Sequence, residues 1–522
     1  MGIRNEETEG STLQTLRKPT AGSPMLALVG AFSLAAVHQY LFFGHDPGAS
    51  FPLFISLLYA YLFHDRKGRI GRMSGFGWFM LAVVLLLSLT YVWFHNPVFY
   101  GLNALVVPAL VCLHLAYERG AEKTEWWDIR IVGVALKHLI PLSLRHAPTA
   151  FRLARVASMR RVGRKQKSAA GKVLTGLALA VLVLLVVVPL LASADGAFNR
   201  LLNGLPELAR ELSLGELLGR AIWIAVLCAL LFGYSQGFAK PERRKRPPRA
   251  AGSAGPEADA GERAAEIRRG RKAVIDPVVL ATLLTAVNAV YVLFVAVQFK
   301  YLFGARDGIL PDGQTYAEYA RSGFGELVAV TAINFALLMV ALVYGGKLRK
   351  LVSALLYVLI LCSGVMLFSA YSRLAMYEQA YGYTYIRFLV HAFMIYLAVL
   401  LVVAALRVRT SLVPLSKCYI AISLAAYVFV NYVGMDRMIA EQNLARYERT
   451  GDIDRWYLSR LSADAVPTLV RFGKEEGDEE LRALLRSRSG SAYEDHDWRS
   501  YNLAVHRADR ALRHWDREVA RR

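Results

Sequence analysis

The sequence has only four cysteines among 522 residues, and each of them falls inside a long apolar run. They lack the paired spacing and the histidine or cysteine companions that a disulfide framework or a zinc site needs. We therefore expect buried thiols and no metal site. The four are Cys112, Cys228, Cys362 and Cys418.

Sequence signatures of catalytic chemistry are missing as well. The chain has no GxSxG, HExxH or GxxxxGK motif, and no GxGxxG motif follows a predicted strand. Asp195, just beyond the fifth apolar run, is a single carboxylate and not a general acid–base pair. The sequence therefore indicates no catalytic residue and no cofactor.

Acidic residues are scarce relative to basic ones, with 41 Asp and Glu against 62 Lys and Arg and a net charge of +21. The basic residues lie at the ends of apolar runs, whereas a nucleic-acid binder would concentrate them on a folded domain with stacking aromatics. Anionic lipids attract basic residues in such positions. We predict contact with membrane lipids and no nucleic-acid partner.

Long apolar runs are what the chain has in abundance, since 55% of its residues are hydrophobic. About 20 helical residues span the hydrocarbon core, and a helix satisfies its backbone groups within the segment. The pattern predicts an all-α, polytopic transmembrane bundle of about eleven spans. The runs are 24–44, 49–63, 76–94, 98–117, 173–193, 217–238, 277–299, 324–345, 351–371, 384–406 and 412–433.

The loops between these runs alternate in charge. One set of loops, together with the N-terminal tail, holds 36 Lys and Arg, and the other set holds six. Because positive loops mark the cytoplasm, the N-terminus is predicted inside the cell membrane and the C-terminus outside. The alternation holds at every loop only if run 49–63 crosses; its short length leaves a re-entrant or interfacial helix as the alternative.

Composition shifts divide the chain into five predicted parts. Loop 118–172, which Trp126 and Trp127 open, has two equal interpretations: a basic helix along the membrane surface, or a helix pair packed on the bundle. The parts are a cytoplasmic tail 1–23, a first membrane half 24–238 that contains this basic cytoplasmic loop, a flexible basic cytoplasmic linker 239–276, a second membrane half 277–433, and an extracytoplasmic helical domain 434–522.

The last part, 434–522, carries 17 basic and 17 acidic residues, a neutrality that suits an exported segment. We expect helices over 452–460 and 463–472, with Ser462 as the N-cap of the second, and further helices near 475–488 and 497–520. Its size and charge argue against a large independent core. One face of the last helix is predicted to hold Leu503, Val505, Ala508 and Leu512.

Polar residues inside the apolar runs are candidates for function, because burying them in hydrocarbon is costly. The alternative for each is a structural hydrogen bond between packed helices. The candidates are His38, Gln39, Asn103, His114, Asn288, Gln298 and Asn334.

The densest polar cluster lies in the predicted outer loop between the ninth and tenth spans. Arg387 and His391 share a helix face, and Glu378 is the expected counter-ion of Arg387. Arginines, a histidine and tyrosines could together bind an anion or a protein partner. The alternative is an aromatic interface belt closed by an Arg–Glu pair. The candidate binding residues are Arg373, Glu378, Tyr381, Arg387 and His391.

Several motifs together resemble a bacterial family of multi-pass membrane proteins, of Gram-positive type, that is classed as a domain of unknown function. The resemblance implies a polytopic membrane protein and supplies no activity, substrate or cofactor. It is carried by Tyr40–Gly44, Phe51–Phe54, Ser193–Asp195, Arg373, Tyr381–Thr384, Arg387, Asn443–Tyr447, Gly451, Asp454, Tyr457–Leu458 and Leu461–Pro467. Loop 118–172 and the residues after about 490 look less family-like.

Three functions fit these observations. The preferred hypothesis is a non-enzymatic cell-envelope or signalling protein, with a protein partner in that system and an outer recognition surface at the ninth to eleventh spans. A secondary transporter is the first alternative, although no span carries a central carboxylate. A membrane enzyme acting on lipid-linked phosphates is the second. The candidate outer-domain residues are Asn443, Arg446, Tyr447, Asp454, Tyr457 and Asp464.

Overall fold

The computed structural model describes residues 24–63, 73–120, 124–159, 187, 214–239, 276–304, 324–344, 350–410, 412–489 and 497–521. All regular secondary structure in these ranges is helical, as the apolar pattern predicts.

Nine of the helices are long and apolar enough to cross a membrane, and each coincides with one of the eleven predicted runs. Run 49–63 forms the shorter helix α2, Ser50–Phe63, whose 14 residues reach about 21 Å at 1.5 Å per residue. Run 173–193 lies outside the described residues. The nine helices are α1 (Pro24–Phe42), α3 (Gly75–Trp93), α4 (Pro97–Arg119), α7 (Leu214–Ala239), α8 (Pro277–Gly304), α9 (Phe324–Tyr344), α10 (Lys350–Tyr381), α11 (Tyr385–Arg409) and α12 (Leu415–Tyr432).

Loop 118–172 contains two helices, α5 (Arg130–Lys137) and α6 (Ser143–Met159), joined by a π-helical turn. One face packs on α7, where the His138 ring stacks on Phe238 with centroids 4.3 Å apart. The other face leaves apolar side chains such as Ile129 and Phe151 exposed. The helix pair therefore packs on the bundle and also presents the apolar face expected of a membrane-surface helix.

Most of the polar residues in the spans make hydrogen bonds between helices. Asn288 donates to the Leu355 carbonyl at 2.8 Å, and Asn334 donates to Ser363 Oγ at 2.9 Å. His114 Nδ1 lies 2.9 Å from the Tyr59 hydroxyl. These contacts favour the structural interpretation of these side chains.

Two further residues of that set behave differently. Trp223 Nε1 donates weakly to His38 Nδ1 at 3.4 Å. The Gln39 amide nitrogen is buried and has no hydrogen-bond partner among the described residues. The Gln298 side chain is not among those described.

The four cysteines are free thiols, and all are buried or partly buried, as expected.

The chain forms two compact units. One draws its described residues from Met1–Ser88, Val107–Glu242 and Asp497–Ser500, and the other from Leu89–Val106, Arg243–His496 and Tyr501–Arg522. The predicted binding residues all belong to the second unit.

The C-terminal segment 434–522 belongs to the second unit except for residues 497–500. Its α-helices among the described residues are α13 (Met435–Thr450), α14 (Arg455–Ser459), α15 (Val466–Glu476), α16 (Glu479–Ser489) and α17 (Leu503–Arg521). Four helices were expected after residue 450, and four are present with shifted boundaries. Ser462 is not an N-cap, because α15 starts only after Ala465.

The buried stripe of α17 differs from the expected one. Ala504, Ala508, Leu512 and Trp515 are buried, whereas Leu503 and Val505 are only partly buried. The observed residues follow helical spacing over three turns. Trp515 packs so closely on Gly473 of α15 that any side chain at position 473 would collide with its ring.

The core of the C-terminal segment is shared with the ends of the membrane helices. It includes Leu458, Leu469 and Leu481, and it is completed by the buried Phe99 of α4 and the partly buried Phe388 of α11. The segment is therefore packed against the membrane helices of its own unit, in line with the expectation that it is too small to form a large core alone.

Candidate functional site

The first feature of the site is a tight helical hairpin between α10 and α11. Sequence analysis placed an outer loop at 371–387, but α10 continues to Tyr381, and α11 begins at Tyr385. Only three residues form the turn, and Gly382 adopts φ of +80°. The candidate residues Arg373, Glu378 and Tyr381 therefore lie on a helix and not in a loop.

The hairpin turn is held by side chains of the C-terminal segment. Asn443 Oδ1 accepts a hydrogen bond from the Tyr383 amide at 3.0 Å, and its Nδ2 donates to the Tyr383 carbonyl at 2.9 Å. The Tyr457 hydroxyl accepts from the Tyr385 amide at 3.2 Å. These bonds place Asn443 and Tyr457 against the turn of the hairpin.

Arg446 completes the same contact. Its guanidinium donates to the carbonyls of Gln379 at 3.2 Å and Ala380 at 2.9 Å, and it pairs with Asp452 at 2.8 Å. The last carbonyls of a helix have no partner within the helix, so a cation placed there satisfies them. We call the contacts of Asn443, Arg446 and Tyr457 the hairpin lock.

The expected ion pair between Arg387 and Glu378 is wrong. Arg387 donates to the carbonyls of Tyr381 and Gly382, and its guanidinium lies 4.3 Å from the Tyr377 ring centroid. The tight connection between α10 and α11 directs these two carbonyls toward the start of α11. The sequence alone does not reveal this geometry.

Glu378 pairs instead with His391. The carboxylate Oε2 lies 3.1 Å from His391 Nδ1, Glu378 is 2% exposed, and its Oε1 has no hydrogen-bond partner in the described part of the chain. His391 Nε2 lies 3.5 Å from the Tyr371 carbonyl, so both ring nitrogens face acceptors.

A second group of polar contacts surrounds two aspartates of the C-terminal segment. The carboxylate of Asp436 accepts from Asn96 Nδ2 at 2.6 Å and from the Ser462 amide at 3.1 Å. Asp464 accepts from the His95 amide at 2.8 Å and from the Ser462 hydroxyl at 3.2 Å. The short α3–α4 connection is thereby bound to the segment.

Burial changes the protonation of both aspartates. It raises the pKa of Asp436, against the lowering effect of its hydrogen bonds. It also raises the pKa of Asp464 to about 6, with a further raising effect from the neighbouring charge of Asp436. Asp464 therefore changes its charge close to neutral pH.

Asp464 lines an open pocket of about 430 Å³. Sequence analysis named Asp464 but missed the other residues of this pocket, because they are scattered from position 93 to position 507 and no local pattern joins them. The residues that line the pocket beside Asp464 include Trp93, Phe94, Tyr432, Arg437, Arg471 and Arg507.

Three of the remaining candidates have local roles. Asp454 is the N-cap of α14 and accepts from the Tyr457 amide at 2.8 Å. Tyr447 packs edge-on against Phe472 with centroids 5.4 Å apart and takes no part in the hairpin lock. Tyr381 is half exposed and lies beside Tyr377.

Arg373 and Asp195 are the remaining residues that the sequence singled out. Arg373 is buried on α10, 8% exposed. Asp195 lies outside the described residues. Among the described residues, no group of three or more His, Cys, Asp or Glu side chains is placed to hold a metal ion.

Comparison with known proteins gives one match, to a family described as a domain of unknown function, DUF4153, over residues 81–472. The chain belongs to the DUF4153 family. Its long apolar helices make this DUF4153 member a multi-pass membrane protein. No curated protein and no solved structure matches the chain.

The DUF4153 match does not cover all the residues that carry the resemblance. Loop 118–172, expected to be less family-like, lies wholly within the matched range. The match begins after the Tyr40–Gly44 motif. It ends before α16 and α17, so the hairpin lock and Asp464 fall inside the family domain, whereas Arg507 falls beyond it.

Proposed function

We propose that this protein is a non-enzymatic component of the cell envelope or of a signalling system, and that its C-terminal segment forms a recognition surface with α10, α11 and α12. The hairpin lock is the observation that carries this proposal. The hairpin backbone is hydrogen-bonded by the side chains of Asn443, Arg446 and Tyr457. These bonds join the C-terminal segment and the membrane helices into one surface.

The proposed surface faces the outside of the cell. The support is the charge of the loops, since 36 Lys and Arg lie on one side of the eleven predicted spans and six on the other. In the same arrangement the N-terminus is cytoplasmic and run 173–193 is a further span.

Reporter fusions test this arrangement. Alkaline phosphatase fused after Arg522 should be active, because this enzyme folds only outside the cytoplasm, and the same reporter fused after Thr410 should be inactive. A fluorescent protein that matures only in the cytoplasm should give the opposite pattern. Cytoplasmic fluorescence after Arg522 would place the recognition surface inside the cell.

The recognition role is tested by native purification and mass spectrometry of the lipids and proteins that stay bound. We expect a reproducible set of envelope components on the wild-type protein, and loss of that set from Asn443→Ala, which breaks the hairpin lock. The matched control is Asn502→Ala, whose amide donates to the Tyr91 and Phe94 carbonyls and not to the hairpin. An identical set on all three proteins would contradict the role.

A secondary transporter is the second candidate, and the Glu378–His391 pair favours it. A buried carboxylate with one unpartnered oxygen beside an ionisable imidazole is a chemical arrangement that proton-coupled carriers use. Sequence analysis saw no such carboxylate, because Glu378 was assigned to a loop. Proton movement into vesicles that is lost in Glu378→Gln would favour this function over the first.

A further inference from the structure

The pocket beside Asp464 has an excess of positive charge. Arg437, Arg471 and Arg507 line it from three different helices, α13, α15 and α17. Arg437 pairs with Glu441 on its own helix at 2.7 Å, whereas Arg471 and Arg507 form no ion pair within 4 Å of a described residue, although the charge of Arg507 acts on Asp464 through space. Two guanidiniums are therefore available to a ligand.

The acidic residue in the pocket does not cancel this charge. Asp464 already accepts hydrogen bonds from the His95 amide and the Ser462 hydroxyl, and neither of these partners lines the pocket. Burial raises the pKa of Asp464 to about 6, so its negative charge is lost once the pH falls below that value. The guanidiniums of Arg471 and Arg507 thus outweigh the single carboxyl of Asp464.

The opposite wall is aromatic and comes from the ends of two membrane helices. Trp93 is the last residue of α3, Tyr432 is the last residue of α12, and Phe94 follows α3 directly. The rings of Trp93 and Phe94 meet Tyr432 edge-on at 5.6 and 5.5 Å. Aromatic residues at span ends mark the level of lipid headgroups, so the pocket opens at that level.

We propose that this pocket binds the phosphate group of an anionic ligand, with Arg471 and Arg507 as the direct contacts. Arginine offers paired N–H donors that match two phosphate oxygens, and the pocket has the size of small-molecule sites. A membrane phospholipid headgroup and a soluble phosphate compound share this chemistry. The inference rests on the proposed recognition surface, because it names the class of ligand that part of this surface takes.

The test uses the purified full-length protein and two kinds of probe. The lipid arm measures native mass spectra in nanodiscs that contain phosphatidylglycerol or phosphatidylcholine. The soluble arm titrates inorganic phosphate and glycerol phosphate while following tryptophan fluorescence, to which Trp93 contributes. We expect phosphatidylglycerol to be retained and phosphatidylcholine to be lost.

The decisive variant is Arg471→Ala combined with Arg507→Ala, and we expect it to bind the phosphate probe at least 10-fold more weakly. The matched control is Arg510→Ala combined with Arg517→Ala, which removes the same charge from exposed positions of α17 outside the pocket. Replacing Arg471 and Arg507 by lysine should give an intermediate affinity, because the charge stays and the paired donors are lost.

Each outcome decides the inference. Retention of phosphatidylglycerol that only the pocket variant abolishes supports a lipid headgroup, and binding of soluble phosphate with the same dependence supports a soluble ligand. Equal weakening in the pocket and control variants means non-specific attraction and overturns the site. Binding of neither probe also overturns it, whereas the native purification from cells described above would still report on the recognition surface.

Discussion

At the residue scale, the protein uses buried polar side chains chiefly to bind its own backbone. Arg387 bonds two carbonyls of the hairpin turn, and Arg446 bonds two carbonyls at the end of α10. A buried cation or backbone group without a partner would cost free energy, so these contacts are obligatory once the helices pack. The hydrogen bonds of these two arginines therefore stabilise the hairpin.

The Glu378–His391 pair leads to a prediction by double-mutant cycle. Glu378→Gln and His391→Gln should be coupled by about 1–2 kcal/mol in the free energy of unfolding, because their side chains are in contact and little exposed. The cycle of Glu378→Gln with Arg387→Gln should show no coupling, since Arg387 bonds carbonyls. Unfolding in detergent measures both coupling energies. Coupling of Glu378 to Arg387 but not to His391 would support an Arg–Glu pair instead.

Asp464 leads to a pH-dependent prediction. Burial raises its pKa from 3.8 to about 6 in the folded protein, so the folded state holds the proton more tightly than the unfolded chain. The wild-type protein therefore loses stability as the pH rises from about 4 through 6, and Asp464→Asn removes that loss.

At pH 8 the free energy of unfolding of Asp464→Asn should exceed that of the wild type by an amount on the order of 2 kcal/mol. This gain should shrink toward pH 4. Thermal unfolding across this range measures the gain. Glu475→Gln, at an exposed position of α15, is the control and should show no such trend. A gain that is the same at every pH would contradict the raised pKa.

At the scale of elements, α10 is the helix whose length matters most. Its 32 residues reach about 48 Å, well beyond a hydrocarbon core of about 30 Å. Apolar periodicity predicted its end near residue 371, because the polar residues begin there. The helix continues because its last turns are packed against α11 and their carbonyls are satisfied by Arg446.

The turn that follows α10 requires glycine. Gly382 has φ of +80°, and a Cβ at this position would lie 2.5 Å from Asn443 Oδ1. We expect Gly382→Ala to lower the free energy of unfolding by about 1–3 kcal/mol.

The matched control for this prediction is Gly364→Ala, in the interior of α10, where a Cβ meets no atom within 4 Å. This change should leave stability equal or raise it by about 0.5–1 kcal/mol. Chemical unfolding of both variants makes the comparison. Similar free energies of unfolding for Gly382→Ala and Gly364→Ala would show that the turn does not require glycine.

At the scale of the whole molecule, the hairpin lock decides whether the C-terminal segment is a free tail or part of the membrane unit. Arg446→Ala leaves the carbonyls of Gln379 and Ala380 without their partner. We therefore expect faster proteolysis of the segment and a free energy of unfolding that is lower by about 1.5–3 kcal/mol. Arg449→Ala is the control, because Arg449 donates its hydrogen bond to the Ala445 carbonyl on its own helix and not to a carbonyl of the hairpin. Equal proteolysis of the two variants would argue against the lock.

The sequence by itself determined that the chain is all-helical and built of long apolar spans, since the need to satisfy every backbone group in lipid leaves no other structure for runs of this length. It also named Asn443 and Arg446 as candidate surface residues, without revealing their contacts with the hairpin. Only the tertiary structure decided that Glu378 pairs with His391 and that Arg471 and Arg507 share a pocket with Trp93. Such contacts join residues that are far apart in the chain, and their geometry depends on how the helices pack and not on any local pattern.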